Sequence, residues 1–272
     1  MRLIDKIYQF VRILPQYVPA SVNRLLKDTF LFQLWQKTQF KGKNLVPVQI
    51  HFPGGSDCTV QFVKPSYQFK QQAQTGVYEP TLTYELYEIV SENSVFYDIG
   101  SYFGYYSQIA LCGGVKGQNI FSFEADSTRY KFLEQVHSGD KVNTENAFVG
   151  AESDTNMVKL DTFCSTNPPP TVMKIDVEGD EFDVLEGGKK ILQNHQPTLY
   201  VEMHPQVYPQ MGTSVEEIVQ MLVSNGYTIQ MADHRRDDRW RTVKIQDLPK
   251  FDPSVEEENT PENTYLLKAI AP

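Results

Sequence analysis

The apolar positions near the start of the chain change from helical to strand-like spacing. Residues 1–40 carry apolar side chains at helical intervals, interrupted by Pro15 and Pro19, which predicts short amphipathic helices. In residues 45–63, apolar and polar positions alternate on both sides of a Pro-Gly-Gly-Ser-Asp turn, which predicts a β-hairpin. We therefore expect residues 1–75 to form a helical segment and a hairpin that pack on the domain after them.

From residue 76 to residue 272, short apolar runs alternate with amphipathic stretches. This alternation predicts an α/β domain in which helices cover both faces of a mostly parallel sheet. The predicted strands are 95–99, 119–123, 147–149, 157–160, 171–177, 198–202, 227–231 and 265–270. The predicted helices are 77–91, 105–112, 128–136, 181–193 and 215–224.

Size and charge limit the possible classes of protein. The 272 residues are 40% hydrophobic, which is enough for a sizeable core, and the net charge of −9 argues against general nucleic-acid binding. The charged residues Arg2, Asp5 and Lys6 stand where a signal peptide needs an apolar run, and no apolar run approaches the roughly 20 residues of a membrane span. A helix bearing Leu3 and Ile7 could touch a membrane surface weakly, although packing on its own domain is the simpler interpretation.

The cysteines bear on the cellular compartment. Cys58, Cys112 and Cys164 are odd in number, lie far apart in sequence and form no CxxC or zinc-binding spacing. This pattern predicts three reduced thiols, and we expect a cytoplasmic protein.

The segment after the predicted strand 95–99 has the features of a ligand-binding turn. Ligands of such sheets bind beyond the carboxyl ends of the strands. Here Gly100 permits a sharp turn after Asp98, and Gly104 begins a helix whose first N–H groups are free to bind a ligand. The dinucleotide fingerprint needs glycine where this chain has Tyr102 and Tyr105, which predicts a nucleoside-like ligand without a pyrophosphate. A purely structural turn, with Asp98 capping the helix, explains the same residues.

A carboxylate at the end of the next predicted strand supports a nucleoside ligand. Glu124 follows Gly100 by 24 residues, near the separation at which an acidic residue binds ribose hydroxyls. The alternative is a solvated carboxylate at the start of a helix, a role that suits Asp126 better. Together, the glycine turn and Glu124 predict an adenosine-type ligand.

Two later strands deliver further polar groups to the same edge of the sheet. Asp176 and Glu178 follow the strand 171–177, and Glu202 and His204 end the next one, where strand alternation points them to one side. His204 has an ordinary pKa near 6.5 and is a candidate proton acceptor. These four residues could also bind Mg²⁺, but their spacing alone does not predict a metal site, and we assign none.

Other charged residues receive structural interpretations. Asp180, Glu181 and Asp183 suit the first turn of a helix, where acidic groups complement the helix dipole, and we assign them no chemistry. Arg235 and Arg236 belong to an arginine-rich run that could bind an anionic acceptor. Neighbouring aspartates balance that run, which makes a solvated loop the simpler interpretation.

The motifs taken together resemble the FkbM family of S-adenosylmethionine-dependent methyltransferases. The resemblance covers about residues 76–232, and the Lys-Ile-Asp-Val-Glu-Gly element is its most specific part. Ser101 and Tyr102 depart from the small residues usual in the family. The matching segments are Gly76–Glu79, Asp98-x-Gly100-x-x-x-Gly104, Phe123-Glu124, Leu160-Asp161, Lys174–Gly179 and Glu202.

The resemblance implies a class I methyltransferase fold, a Rossmann-like three-layer sandwich with a seven-stranded sheet. Its last strand, here Tyr265–Ile270, would run antiparallel between its neighbours. The implied cofactor is S-adenosyl-L-methionine, and the implied reaction is O-methylation of a hydroxyl on a sugar, glycan or other small metabolite. Asp176 would lie near the cofactor's amino-acid end or the reaction centre. The implied cofactor-binding residues are Glu79, Asp98, Gly100, Tyr102, Gly104, Glu124 and Ala125, with Asp98 and the glycines around the methionine half and Glu124 on the ribose.

An alcohol acceptor must also lose a proton, which requires a positioned base. His204 is our first candidate and Asp176 our second, and Glu202 or Glu178 would orient the base or bind acceptor hydroxyls. Transfer depends largely on positioning, because the sulfonium is already a good leaving group.

Three other functions compete with a small-molecule methyltransferase. A cofactor-binding interaction module that has lost catalysis would retain the same binding residues. A nicotinamide-dependent dehydrogenase is disfavoured by Tyr102 and Tyr105, and a nucleic-acid methyltransferase by the net charge of −9. The identity of the acceptor and the oligomeric state are not predicted by any motif.

Overall fold

The computed structural model describes residues 45–63, 79–232, 239–249 and 264–272. The predicted N-terminal helices and both Arg235 and Arg236 lie outside these residues. The predicted hairpin is confirmed: β1 (Leu45–His51) pairs antiparallel with β2 (Asp57–Val63). No helix in the described parts of the chain is both long and apolar enough to cross a membrane.

The main sheet confirms the predicted class I arrangement and adds an edge strand. Its order is β11-β10-β12-β9-β8-β3-β4-β5, and β12 lies antiparallel between β9 and β10. The resemblance implied seven strands, whereas eight pair in the described part of this sheet, because the two-residue β11 pairs with the outer edge of β10. The strand β5 was not predicted from the pattern, and the predicted strands 147–149 and 157–160 lie outside this sheet. The strands are β3 (Phe96–Ile99), β4 (Ile120–Phe123), β5 (Asn143–Glu145), β8 (Val172–Ile175), β9 (Thr198–Met203), β10 (Thr228–Ala232), β11 (Arg241–Thr242) and β12 (Tyr265–Ile270), while β6 (Phe148–Val149) and β7 (Met157–Val158) form a separate parallel pair.

The central strands are buried on both faces, which explains their continuous apolar sequences. Successive side chains of β3 alternate between two apolar layers: Tyr97 and Ile99 join one, and Phe96 joins the other. The first layer holds buried side chains of the helices Leu160–Phe163, Glu181–Gly187, Lys189–Asn194 and Val215–Ser224, and the second holds those of the hairpin and of the helices Pro80–Ile89 and Tyr105–Cys112. The helices are α1 (Pro80–Ile89), α2 (Tyr105–Cys112), α3 (Ser127–Val136), α4 (Leu160–Phe163), α5 (Glu181–Gly187), α6 (Lys189–Asn194), α7 (Tyr208–Met211) and α8 (Val215–Ser224).

Two of the predicted elements differ from the structure. The predicted helix 181–193 is two helices, α5 and α6, because Gly188 between them leaves the helical conformation. Gly187 packs so tightly against the carbonyl group of Gly150 that a β-carbon would overlap it. Leu160, predicted to end a strand, instead begins α4.

The hairpin is joined covalently to the sheet domain. Cys58 on β2 and Cys112 at the end of α2 form a disulfide with their Cα atoms 5.9 Å apart, a usual separation for this bond. The prediction of three reduced thiols was therefore wrong for this pair, and only Cys164 is free. Sequence spacing could not show the pairing, because the fold brings together residues that are 54 positions apart.

The turn after β3 depends on a glycine that no other residue can replace without strain. A β-carbon on Gly100, at φ +77°, would overlap the backbone oxygen of Asp176. We expect Gly100→Ala to lower the free energy of unfolding by more than about 3 kcal/mol, because it adds a backbone clash to an unfavourable φ. Urea denaturation would measure the change.

Gly54 provides the matched control. It also has a positive φ, +97°, but no atom lies within 4 Å of its would-be β-carbon. Gly54→Ala should cost only the conformational penalty of about 1–2 kcal/mol. Equal losses for the two variants would contradict the proposed close approach of the Gly100 turn to β8.

Candidate functional site

A cavity of about 1120 Å³ opens at the carboxyl ends of β3, β4, β8 and β9. The polar residues that the sequence predicted for separate strands meet in this cavity, because the parallel strands all end at the same edge of the sheet. The predicted site residues that line it are Glu79, Gly100, Tyr102, Glu124, Ala125, Asp176, Glu202 and His204.

Asp98 and Gly104 support the cavity without forming its wall. The fully buried Asp98 carboxylate accepts hydrogen bonds from the backbone nitrogen of Ser107 at 3.1 Å and from its hydroxyl at 2.7 Å. Burial raises the pKa of Asp98, and the charge of Lys174 and the bonds from Ser107 oppose that rise. Asp98 therefore fixes the start of α2 to the end of β3, as the structural interpretation of this turn required.

Gly104 allows α2 to begin beside α3. A β-carbon at Gly104, which has φ +78°, would overlap the ring of His137. His137 is itself held by Asp140, with 2.6 Å between Nδ1 and Oδ2. The first turn of α2 is thus positioned between the sheet edge and α3.

Glu124 lies directly against the glycine turn. One of its carboxylate oxygens accepts a hydrogen bond from the Tyr102 nitrogen at 2.9 Å, and the other accepts one from the Asp126 nitrogen at 2.8 Å. Burial raises the pKa of Glu124, while these bonds and the Arg129 charge partly counter it. Arg129 also stacks over the Tyr102 ring, 5.2 Å from its centre. The glycine turn and the acidic residue therefore form one wall.

A second part of the cavity wall holds an imidazole between carboxylates. Nε2 of His204 lies 3.4 Å from Oε1 of Glu202 and 3.9 Å from Oδ1 of Asp176. The second oxygen of Asp176 accepts a hydrogen bond from Nζ of the buried Lys174 at 3.1 Å. Burial alone would lower the pKa of Lys174, but the charges of Asp176 and Asp98 raise it, so the ammonium stays charged.

The sequence analysis missed the partner of His204. Glu181, which we assigned only to a helix terminus, is fully buried, and its Oε1 lies 2.9 Å from Nδ1 of His204. The same oxygen accepts a hydrogen bond from the Gly179 nitrogen at 3.1 Å. Glu178, a candidate for orienting the base, instead has a largely exposed side chain that lies 3.9 Å from Arg129. Four of the six residues in 178–183 are acidic, so the sequence did not indicate which carboxylate would contact His204 and which would be exposed.

A second contact that the sequence did not indicate lies next to the glycine turn. The hydroxyl of Tyr106 donates a hydrogen bond to the buried carboxylate of Glu79. Nζ of Lys174 lies over the Tyr106 ring, 5.2 Å from its centre. Glu79 and Lys174 therefore place one anion and one cation side by side in the cavity wall.

Comparison with known proteins identifies the chain. A family model described as the methyltransferase FkbM domain matches residues 66–229, which is more than half of the sequence. The chain belongs to the FkbM methyltransferase family. No curated protein sequence matches it.

Solved structures similar to this FkbM methyltransferase share little sequence with it. A methyltransferase FkbM from Methylobacillus flagellatus KT is 16% identical, with a TM-score of 0.47, over 76% of this chain and 54% of that protein. This chain thus spans about half of that relative. A precorrin-6y C5,15-methyltransferase from Geobacter metallireducens GS-15 is 12% identical, with a TM-score of 0.43, over 70% and 85% of the two chains. A TehB-like methyltransferase from Corynebacterium glutamicum ATCC 13032 Kitasato is 9% identical, with a TM-score of 0.42, over 76% and 95%.

S-adenosylmethionine is the cofactor of this FkbM methyltransferase, and the cavity fits it chemically. Glu124 offers carboxylate oxygens suited to ribose hydroxyls, beside backbone that a nucleoside can approach closely. Lys174 offers a buried cation suited to the carboxylate of the methionine half. The buried carboxylate of Glu79 is suited to that half's ammonium group.

The contacts of His204 predict an unusual protonation state. Burial alone would lower the pKa of His204, but hydrogen bonds with Glu181 and Glu202 and the charge of Asp176 raise it to about 10. Because the folded-state pKa lies above the ordinary value of about 6.5, protonation stabilises the fold at neutral pH, and this stabilisation is lost as the pH rises through the folded-state pKa.

We expect the imidazole of His204 to stay protonated from pH 6 to pH 8. The protein is first treated with EDTA, so that no metal ion competes with the proton. Nitrogen NMR of histidine-labelled protein would measure this, with His204→Gln assigning the resonance. Glu181→Gln should lower the pKa of His204, because it replaces the carboxylate beside Nδ1 with a neutral amide. A resonance that titrates near the ordinary pKa in the unmodified chain would contradict these contacts.

Proposed function

We propose that this FkbM methyltransferase methylates a hydroxyl oxygen of a sugar, glycan or other small metabolite. The observation that carries the proposal is the meeting of two chemically different walls in one cavity. One wall combines Gly100 and Glu124 and suits a nucleoside. The other combines Asp176, Glu202 and His204 and suits an acceptor that must lose a proton.

The second wall is better suited to the acceptor than to the sulfur atom. When bound, S-adenosylmethionine supplies an electrophilic methyl group on a positively charged sulfur. A carboxylate against that sulfur would stabilise the ground state more than the transition state, in which the positive charge is falling. Asp176 and Glu202 are therefore more useful where they hold and polarise an acceptor hydroxyl.

The two candidate bases, His204 and Asp176, differ in whether they hold a proton at neutral pH. His204 holds a proton between carboxylates and so donates hydrogen bonds at neutral pH. Asp176 is partly exposed to the cavity and, with Lys174 on its other oxygen, is the better proton acceptor of our two candidates. A carboxylate is a weak base for an alcohol, because general-base efficiency depends on matched pKa values.

The domain assignment and the location are also proposals. We propose that residues 76–272 form the catalytic domain and that the segment before them packs on it. The disulfide and the 2.5 Å hydrogen bond from the Gln61 nitrogen to Gln108 support this for the hairpin.

The predicted cytoplasmic location depended on three reduced thiols, and the Cys58–Cys112 pair removes that support. The acceptor that we propose is a small molecule or glycan, because the net charge of −9 disfavours nucleic acid.

Binding of the demethylated product tests the cofactor wall. By calorimetry, we expect S-adenosylhomocysteine to bind the full chain, and Glu124→Gln to weaken it about 10- to 100-fold by removing charge-assisted hydrogen bonds. Glu145→Gln, on the neighbouring β5, is the matched control and should retain the affinity. Absence of binding to the unmodified chain would refute the cofactor site.

Turnover tests the acceptor wall and separates the enzyme from an inactive binding module. A screen of hydroxylated sugars, glycans and metabolites would measure release of S-adenosylhomocysteine. Asp176→Asn should bind the cofactor yet turn over at least about 100-fold more slowly. Cofactor binding without turnover of any acceptor would favour the inactive module.

A further inference from the structure

Three side chains of the acceptor wall have the spacing of ligands around one cation. Asp176, Glu202 and His204 each offer one donor atom, and these atoms all lie within 4.8 Å of one another. The His204 Nε2 atom is 3.4 Å from a Glu202 oxygen and 3.9 Å from an Asp176 oxygen. Around an octahedral cation with bonds of about 2.1 Å, neighbouring ligand atoms are about 3 Å apart and opposite ones about 4 Å. Only a small movement would bring the three atoms onto a common ion.

The imidazole is oriented with one nitrogen toward the carboxylates. Its Nδ1 lies 2.9 Å from Oε1 of Glu181, an oxygen that also accepts the Gly179 N–H and therefore acts as an acceptor. This leaves the Nε2 of His204 facing Asp176 and Glu202. A buried carboxylate on the far nitrogen is the usual support for a metal-binding histidine, because it fixes the ring and makes it more basic.

The charges around this point also favour a cation. Asp176, Glu202 and Glu181 surround His204, and the last two are buried. Nζ of Lys174 donates to one oxygen of Asp176 at 3.1 Å, and the other oxygen of Asp176 is the one nearer to Nε2 of His204. The other oxygen of Glu181 has no hydrogen-bond partner among the described residues. A divalent ion would neutralise more of this charge than a single proton on the imidazole.

We propose that Asp176, Glu202 and His204 bind a divalent transition-metal cation at the acceptor end of the cavity. One nitrogen and two carboxylate ligands suit Mn²⁺ and its neighbours in the first transition row better than Ca²⁺ or Mg²⁺. Three protein ligands leave coordination positions open to water or to an acceptor oxygen. The role of the ion depends on the proposed function: it would lower the pKa of a bound acceptor hydroxyl, which could then lose its proton to water while Asp176 serves as a ligand and not as the base.

Mn²⁺ binding to the full chain, stripped with EDTA and desalted, tests the proposal without measuring activity. Electron paramagnetic resonance of free Mn²⁺ should show saturable binding of one ion per chain, with a Kd below about 1 mM. Glu202→Gln should weaken binding at least about 100-fold, and Glu181→Gln about 10- to 100-fold through the histidine. Mg²⁺ should compete only weakly.

Glu178→Gln is the matched control, because Glu178 lines the same cavity but belongs to a different ion pair. This variant should bind Mn²⁺ as the unmodified chain does. Absence of a one-to-one complex in the unmodified chain, or equal losses in Glu202→Gln and Glu178→Gln, would overturn the metal site and leave a protonated histidine network in its place.

Titration of the same samples with S-adenosylhomocysteine separates the two proposals. If the chain binds S-adenosylhomocysteine but does not bind Mn²⁺, the metal site is refuted and the methyltransferase proposal stands. If the chain binds Mn²⁺ but does not bind S-adenosylhomocysteine, the proposed cofactor site is refuted and the metal site stands.

Discussion

The close approach of the Gly100 turn to the end of β8 is the constraint on which the rest of the site depends. A β-carbon at Gly100 would overlap the Asp176 backbone oxygen, so the two strand ends can meet only if residue 100 has no side chain. Their contact closes the cavity between β3 and β8. It also sets the distance between the wall that holds Glu124 and the wall that holds Asp176.

The second determinant is the concentration of buried charge at that edge. Asp98, Glu181 and Glu202 are nearly inaccessible to solvent, and each has polar contacts that compensate for lost hydration. The ammonium group of Lys174 lies near the carboxylates of Asp176 and Asp98, and their charges raise its pKa, so that it stays charged. Removing any one partner would leave another charge buried, so these residues act as a group rather than as separate binding elements.

The fold was predictable from sequence where local pattern and topology agree. Buried strands such as Val172–Ile175 show uninterrupted apolar runs, and the order of strands and helices indicated that Asp176 and Glu202 would share an edge with Glu124. Residue spacing also predicted that Glu124 would lie near the glycine turn, where its carboxylate meets the Tyr102 nitrogen.

Other features depend on contacts between distant residues and could not be predicted. The Cys58–Cys112 bond requires knowing that the hairpin packs on α2. Glu181 has the sequence context of an ordinary first-turn acidic residue, and only the arrival of His204 from β9 gives it a partner. The end of α5 packs on Gly150 through Gly187, and the sequence pattern of 181–193 does not indicate this contact between distant residues.

We propose that one cavity holds the nucleoside of S-adenosylmethionine on the Gly100–Glu124 wall and turns its methyl group toward an acceptor held by Asp176, Glu202 and His204. A crystal structure of the full chain with S-adenosylhomocysteine tests this most directly. We predict ribose hydroxyls on the Glu124 carboxylate and the sulfur facing the three acceptor-wall residues. A nucleoside bound away from Glu124, or a sulfur directed away from those residues, would contradict the account.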